Sequence, residues 1–587
     1  MHIAFAVRDG VRDKSPSTCS LHKPASPADI GPNPVLLSQL ICLGEAFMGS
    51  GPRWLLIVAI VLLGLGEWAW GIWSGMTQIT QLQTQLVRQQ AAFHLSAARR
   101  QPFTRDEVKT FLAATKQAEA IKDPLQRCLA YPDPPRSHWS PATVKAYCQY
   151  YLQSVVSFAD AQTLIQSGHA ADLDRRLAQD LQAQLTRPDS HGLLDHSYFS
   201  AFDNGSFDIR STLDAWKRAS PSSAFAYAAS GWAYVAMASK ARGGAYIQDT
   251  PQSNIDAMDR LLSQADADLQ RAVALDPKVT PAYVAMIKAG SMSLGSTYIQ
   301  NAGRRGLAVA PDNYAIYGLL SHAAEPKWGG SLAAMKQVAD DAQAHVKQNP
   351  LLAILLSAEP AYRYDVCNCE SSTNWSAYPL VFDNVSSTTL LSSAGYVASD
   401  NGQSELAVIY LSEVLRFQPW SGDVRRRRDS NLSGVGESQM ALDDANNLIA
   451  ADPQNADNYQ LRGTVYMSLM DNQHAEKDLE SALALSPDDI DVLGPLGNLY
   501  IDQTHEWDKA WDITDRIIRK YPGSPAGWVM RATIQENQPR AGLNETYKYF
   551  VSQFGNDPGM QWQITHMREL LAKAPQDDAA KAVSKSR

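Results

Sequence analysis

Between Gln454 and Pro487 the apolar and small positions fall as Tyr459, Gly463, Tyr466, then Ala475, Leu479 and Ala482, two stripes separated by a polar turn and closed by proline. That spacing turns one face of each of two helices inward and predicts a helical hairpin. Gly463 and Ala475 are small where the helices must approach, while Tyr459, Tyr466 and Leu479 are large enough to fill the space between layers. Pro487 stops the second helix, because proline lacks an N–H and clashes with the preceding turn. Leu493, Gly497, Tyr500, Ala510 and Pro522 repeat the pattern, with one extra residue expected in the turn from Thr504 to Lys509, and Trp528 and Ala532 begin another unit.

The same beat runs through Pro277, Pro311, Pro350, Pro419, Pro453, Pro487, Pro522 and Pro558, mostly 34 to 36 residues apart, with one step of 39 and one of 69. A fixed period of this size marks stacked helical hairpins, and the 69-residue step is close to two periods, so a degenerate repeat is expected there. Over residues 454–535 the pattern resembles tetratricopeptide repeats. The fold class expected is therefore all-α, a helical-hairpin solenoid.

Upstream, residues 105–121 and 142–187 carry helical periodicity, and Ser222–Lys240 with Asn254–Leu275 form the first clear hairpin. From Leu193 to Arg210 the pattern breaks around the turn Asp203-Asn204-Gly205-Ser206. Leu213, Trp216, Pro221-Ser222-Ser223, Ala241-Arg242-Gly243 and Pro326-Lys327-Trp328-Gly329-Gly330-Ser331 then follow in order. Their order resembles a bacterial family known as domain of unknown function 4034, over about residues 190–345, although Ser239 stands where that family carries Trp. The resemblance implies fold and company but no reaction. Physically, Trp328 to Ser331 reads as a plug, a glycine turn and a helix cap; as a binding loop it would offer backbone N–H groups beside an indole.

Near the start, Trp54 to Trp73 is apolar except for Glu67, just long enough to cross a hydrocarbon core of about 30 Å. Trp68, Trp70 and Trp73 at its far end and Arg53 at its near end favour one span with a cytoplasmic N-terminus; a cleaved signal peptide is the competing reading. The expected organisation is a disordered segment 1–52, with Met48 as an alternative start, and a transmembrane anchor 53–74. A helical membrane-proximal region 75–190 and the resembling domain 191–348 come next. A degenerate repeat or insertion 349–400, repeats over 401–573 and a disordered tail 574–587 complete the chain. The protein would then sit in the inner membrane with its bulk periplasmic.

A net charge of -9 and a hydrophobic content of 45% suit a folded, soluble body and argue against nucleic acid as a partner, since phosphate binding needs clustered positive charge. Of the 6 cysteines, four follow the span. Outside the cytoplasm Cys128 and Cys148 are expected to pair. Cys367 and Cys369, one residue apart in the non-repetitive stretch Glu359–Thr388, could be bridged, free or redox-active; zinc would need further ligands. No nucleophile, phosphate-loop or metalloprotease motif occurs, so no catalytic, cofactor or metal residue is assigned.

For a partner, Asn458, Arg462 and Asn498 are polar where the first helix of a hairpin lines the groove. In Arg425-Arg426-Arg427-Arg428 two side chains can salt-bridge locally while two reach outward. The leading reading is a membrane-anchored scaffold that binds a protein or peptide in its groove. The alternatives are an envelope enzyme, with thiol-disulfide chemistry at Cys367 and Cys369, or a toxin-neutralising binding protein.

Overall fold

The computed structural model describes residues 102–573 except Tyr246 and Pro539, and these residues form helices and turns with no β-strand among them. The span from Trp54 to Trp73 and segments 1–52 and 574–587 lie outside the described residues. Among those described, no helix is long and apolar enough to cross a membrane.

The first helices are α1 (Arg105–Glu119), α2 (Pro124–Ala130), α3 (Pro141–Leu152), α4 (Phe158–Gln166), α5 (Ala170–Thr186), α6 (Leu193–Phe202) and α7 (Arg210–Ala219). α1 starts on a capping box in which Thr104 and Glu107 each satisfy the other's backbone N–H. α6 corrects the expected break from 193 to 210. Leu194, Tyr198, Ala201 and Phe202 form a buried face, but fewer than three turns make a stripe too short to stand out beside the turn that follows.

Hairpins then succeed one another: α8 (Ala224–Arg242) with α9 (Gln252–Leu275), α10 (Thr280–Ala289) with α11 (Ser296–Val309), and α12 (Tyr314–Ala323) with α13 (Leu332–Gln343). The degenerate stretch holds a 3-10 run Pro350–Ser357, α14 (Ala358–Arg363) and α15 (Tyr378–Val381). Regular pairs resume with α16 (Thr388–Asp400) and α17 (Ser404–Phe417), α18 (Gly422–Leu432) and α19 (Ser438–Ala451), and α20 (Ala456–Ser468) and α21 (Asn472–Leu485). The last pairs are α22 (Ile490–Asn498) with α23 (Trp507–Lys520) and α24 (Pro525–Asn537) with α25 (Leu543–Phe554), before α26 (Gln561–Lys573). Leu275, Val309, Phe417, Ala451, Leu485 and Lys520 each end a helix two residues before a proline, as expected where proline drives the residue before it out of the helical region.

The extra residue of the unit starting at Ile490 is absorbed elsewhere than expected. Leu499–Gln503 is a π-turn, which takes one more residue than an α-turn, so α22 lengthens while the following turn stays short. Gly463 does what its size implied: a Cβ there would lie 2.8 Å from Leu479 Cγ and 3.3 Å from the Ala475 carbonyl.

α17 departs from a simple solenoid. Every residue from Leu406 to Phe417 is buried, whereas a repeat helix usually keeps a polar side for water. The cause is α1 to α3, which pack against α17. Tyr147 meets Phe417 at 4.5 Å between ring centroids, and Trp139 donates its indole N–H to the Phe382 carbonyl at 2.9 Å. The Cys128–Cys148 bridge, at a sequence separation of 20, ties α2 to α3 as expected. Residues 102–573 belong to one compact unit, so the described part of the region 75–190 is built into the repeats.

The close approach at Gly463 is testable. Gly463→Val should cost about 1–3 kcal/mol through overpacking against Leu479, read as a lower denaturant midpoint.

Candidate functional site

Two arginines fix α1 to α3 on the hairpins. Arg416, nearly fully buried, donates from Nε to the Cys128 carbonyl at 2.9 Å and from Nη1 to Asp133 at 2.8 Å and Glu413 at 3.2 Å. Arg428 is fully buried; it holds Asp444 at 2.6 and 2.8 Å and Ser412 at 3.1 Å, and pairs with Glu119 of α1 at 3.0 Å. Guanidinium suits this work because it carries several donors in a fixed fork and remains charged. Burial alone would raise Glu119, but the Arg428 charge and hydrogen bonds outweigh it and lower its pKa to about 2.

Other carboxylates here are not so compensated. Burial pushes Glu413 up to about 8 despite Arg416. Burial, and then the Asp444 charge, pushes Asp429 up to about 8, and neither Asp429 oxygen has a hydrogen-bond partner. A third buried carboxylate, Asp195 of α6, joins α5, α10 and α12 by accepting from Gln184 at 3.0 Å, Thr280 at 2.7 Å and Asn313 at 2.6 Å. Burial raises it to about 6.

The residues expected to meet a partner are differently placed. Arg425 pairs with Asp444 at 2.6 Å and Arg427 with Asp400 at 2.7 Å. Arg426 pairs with Asp423, and its Nη1 donates to Asn458 at 3.4 Å. Arg425 and Arg428 are thus turned inward on Asp444, while Arg426 and Arg427 are part-exposed and pair with exposed aspartates, so the run divides into two inward and two surface side chains. Asn458 is also buried, donating to the Leu448 and Asp452 carbonyls at 3.0 and 3.1 Å. Arg462 grips Asp478 at 2.7 and 2.8 Å. Polarity at these positions serves contacts between helices, which residue type alone does not distinguish from groove lining. Asn498 is exposed.

In the loop from Pro326 to Ser331, Gly329 has φ +84° and a Cβ on Gly330 would overlap the Ala324 carbonyl oxygen. Ser331 caps α13 by accepting from Ala334 N at 3.1 Å. Trp328 does not plug a groove: it is 39% exposed and meets only the edge of His322 among nearby rings, at 5.7 Å. Arg242 ends α8, followed by Gly243 at φ +80°; both are turn chemistry. Cys367 and Cys369 are bridged and exposed. With Asp365 they place three donor atoms within 4.8 Å, but the sulfurs bind each other and the carboxylate accepts from Cys369 N, Glu370 N, Ser372 N and Ser372 Oγ. That leaves no ligand set for a cation.

Sequence reasoning missed a surface on the last hairpins. Arg531 and Arg540 lie 4.8 and 4.9 Å from the Trp511 ring, and Trp528 stacks on Tyr549 at 4.0 Å. Asp515 and Asp508 pair with the two arginines. These side chains come from α23, α24, α25 and the loop between the last two, so no single repeat displays the group. The available signal was Trp511 and Trp528 on successive helices with Arg531 one turn beyond. Trp562 of α26 is 70% exposed nearby in sequence.

No family model and no curated protein matches the chain, so the resemblance over 190–345 gains no support. Among solved structures it is similar to the MamA protein, at 21% identity over 30% of this chain and 95% of that one, with a TM-score of 0.24. It is also similar to the TPR domain of P58(IPK), at 12% identity over 70% of this chain and 99% of that one, with a TM-score of 0.19. At these scores neither likeness adds to what the hairpins themselves establish.

The raised carboxylates set a pH dependence. A carboxyl with a folded pKa above its unfolded value of about 4 keeps its proton in the folded state after the unfolded chain has lost it. Stability then falls as pH rises from about 4 to about 8 for Glu413 and Asp429, and to about 6 for Asp195. The slope is on the order of 1 kcal/mol per pH unit for each proton. Chemical unfolding at pH 5 and pH 8 should show Asp429→Asn losing less stability across that interval than the unaltered protein.

Proposed function

We propose that this protein is a scaffold that binds a protein or peptide through hairpins α20 to α25 and helix α26. The supporting observation is the division of the hairpin row. Its middle is covered by α1 to α3, whereas beyond α21 the cores are built from nearby repeat residues such as Leu493, Ile517 and Phe550. Trp and Arg, grouped around Trp511, are residue types that dominate binding energy at protein interfaces. Asn498 lies on the same half of the chain.

The apolar run from Trp54 to Trp73 would tether the scaffold to the inner membrane, with 102–573 on the extracytoplasmic side. Both bridged cysteine pairs support an oxidising compartment. An interaction scaffold there should gather several envelope proteins, whereas a toxin-neutralising protein should hold one.

In intact source cells, photo-crosslinkers placed at Asn498, Trp528 and Trp562 should capture protein partners, and Arg540→Ala should weaken capture at Trp528 by roughly 5-fold, the effect of losing a hot-spot side chain worth about 1 kcal/mol. Capture by control crosslinkers placed on α4 to α7, with none at Asn498, Trp528 or Trp562, would contradict the assignment of the binding surface.

A further inference from the structure

The two disulfides differ in their surroundings. Cys128 and Cys148 are 3% and 0% exposed, and their bridge constrains a loop with a sequence separation of 20. Cys367 and Cys369 are exposed, and a separation of 2 restricts the unfolded chain little, because the constraint grows with loop length. Cross-linking a long loop explains the first pair but accounts poorly for the second.

The loop around Cys367 and Cys369 is shaped by something other than their bond. Asp365, buried beneath it, accepts from Cys369 N at 2.8 Å, Ser372 N at 3.0 Å, Ser372 Oγ at 3.1 Å and Glu370 N at 3.2 Å. Thr373 Oγ1 donates to the Asp365 carbonyl at 2.8 Å, as does Asn368 N. Asp365, Asn368 and Ser371 all adopt left-handed backbone, at φ 50°, 52° and 54°, a conformation that side chains other than glycine hold only when their surroundings impose it. These contacts would keep the two sulfurs neighbours after the bond between them opened. A site that retains its shape in both oxidation states is preorganised to exchange.

We propose that Cys367–Cys369 is an exchangeable disulfide that takes two electrons from a cysteine pair on a polypeptide partner. A thiolate of the partner attacks Cys367 Sγ, forming a mixed disulfide and releasing Cys369 as the thiolate. The carboxylate of Asp365 lies 3.5 Å from Cys367 Sγ and disfavours a thiolate at that sulfur, which makes Cys369 the better leaving group. The partner's second thiolate then attacks its own sulfur in the mixed disulfide and expels Cys367. The partner leaves with a new S–S bond, and its two protons end on Cys367 and Cys369; glutathione disulfide can restore the bridge. The exposed loop suits an extended peptide.

The test uses the oxidised full chain in a series of glutathione and glutathione disulfide buffers, with alkylation and mass spectrometry to count thiols at each pair. Cys367–Cys369 should open in a buffer at least roughly tenfold less reducing than Cys128–Cys148 requires, with the helical signal unchanged. A reduced synthetic peptide with two cysteines should be oxidised at one equivalent per chain in the absence of glutathione disulfide. The double variant Cys367→Ser, Cys369→Ser should lose that activity while keeping its unfolding temperature. Opening of both pairs in the same buffer, failure to oxidise the peptide, or unfolding on reduction of the exposed pair would overturn the proposal. Partner capture at the last hairpins is measured separately and does not depend on these cysteines.

Discussion

The structure turns on the burial of α17. A helix without a solvent-facing side in the middle of a hairpin row needs a cover, and α1 to α3 supply it from nearly 300 residues earlier in the chain. Apolar contact alone would favour the cover without fixing its position. Arg416 and Arg428 add direction, because each must find its acceptors to be tolerated inside, and those acceptors include the Cys128 carbonyl, Asp133 and Glu119 on the covering segment. Buried arginines left without partners would be strongly unfavourable. Charge therefore specifies where the cover sits, and the Cys128–Cys148 bridge keeps its two helices together.

That cover divides the molecule by role. The hairpins next to it share its core, and several of their polar residues, Arg416, Arg425 and Arg428 among them, are committed to internal contacts. The later hairpins contact mainly their neighbours, as expected of a quasi-linear array, and carry the Trp and Arg surface. The loop with Cys367 and Cys369 sits in the irregular stretch before α16, where the repeat is interrupted and backbone can be shaped by Asp365 instead of a helix partner.

Much of the fold was legible in the sequence because proline and small-residue positions act locally. Pro277, Pro487 and their equivalents mark helix ends, Gly463 marks a close approach, and Ser331 a cap, each within a few residues of its cause. The cover of α17 was not legible, since nothing in Arg416 or Arg428 names Cys128 or Glu119 as the partner. The same limit misassigned Asn458: a polar residue on a repeat helix reads alike whether it faces a groove or bonds a neighbouring carbonyl. The Trp511, Arg531 and Tyr549 surface was missed because it forms only when three helices stack.

Hydrogen–deuterium exchange on the full chain tests this account most directly. If α1 to α3 seal α17, backbone amides from Leu406 to Phe417 should exchange slowest, in step with those of α3 and later than those of α24 and α25. Exchange of α17 as fast as that of the last hairpins, or protection of α17 while α1 to α3 exchange freely, would contradict it.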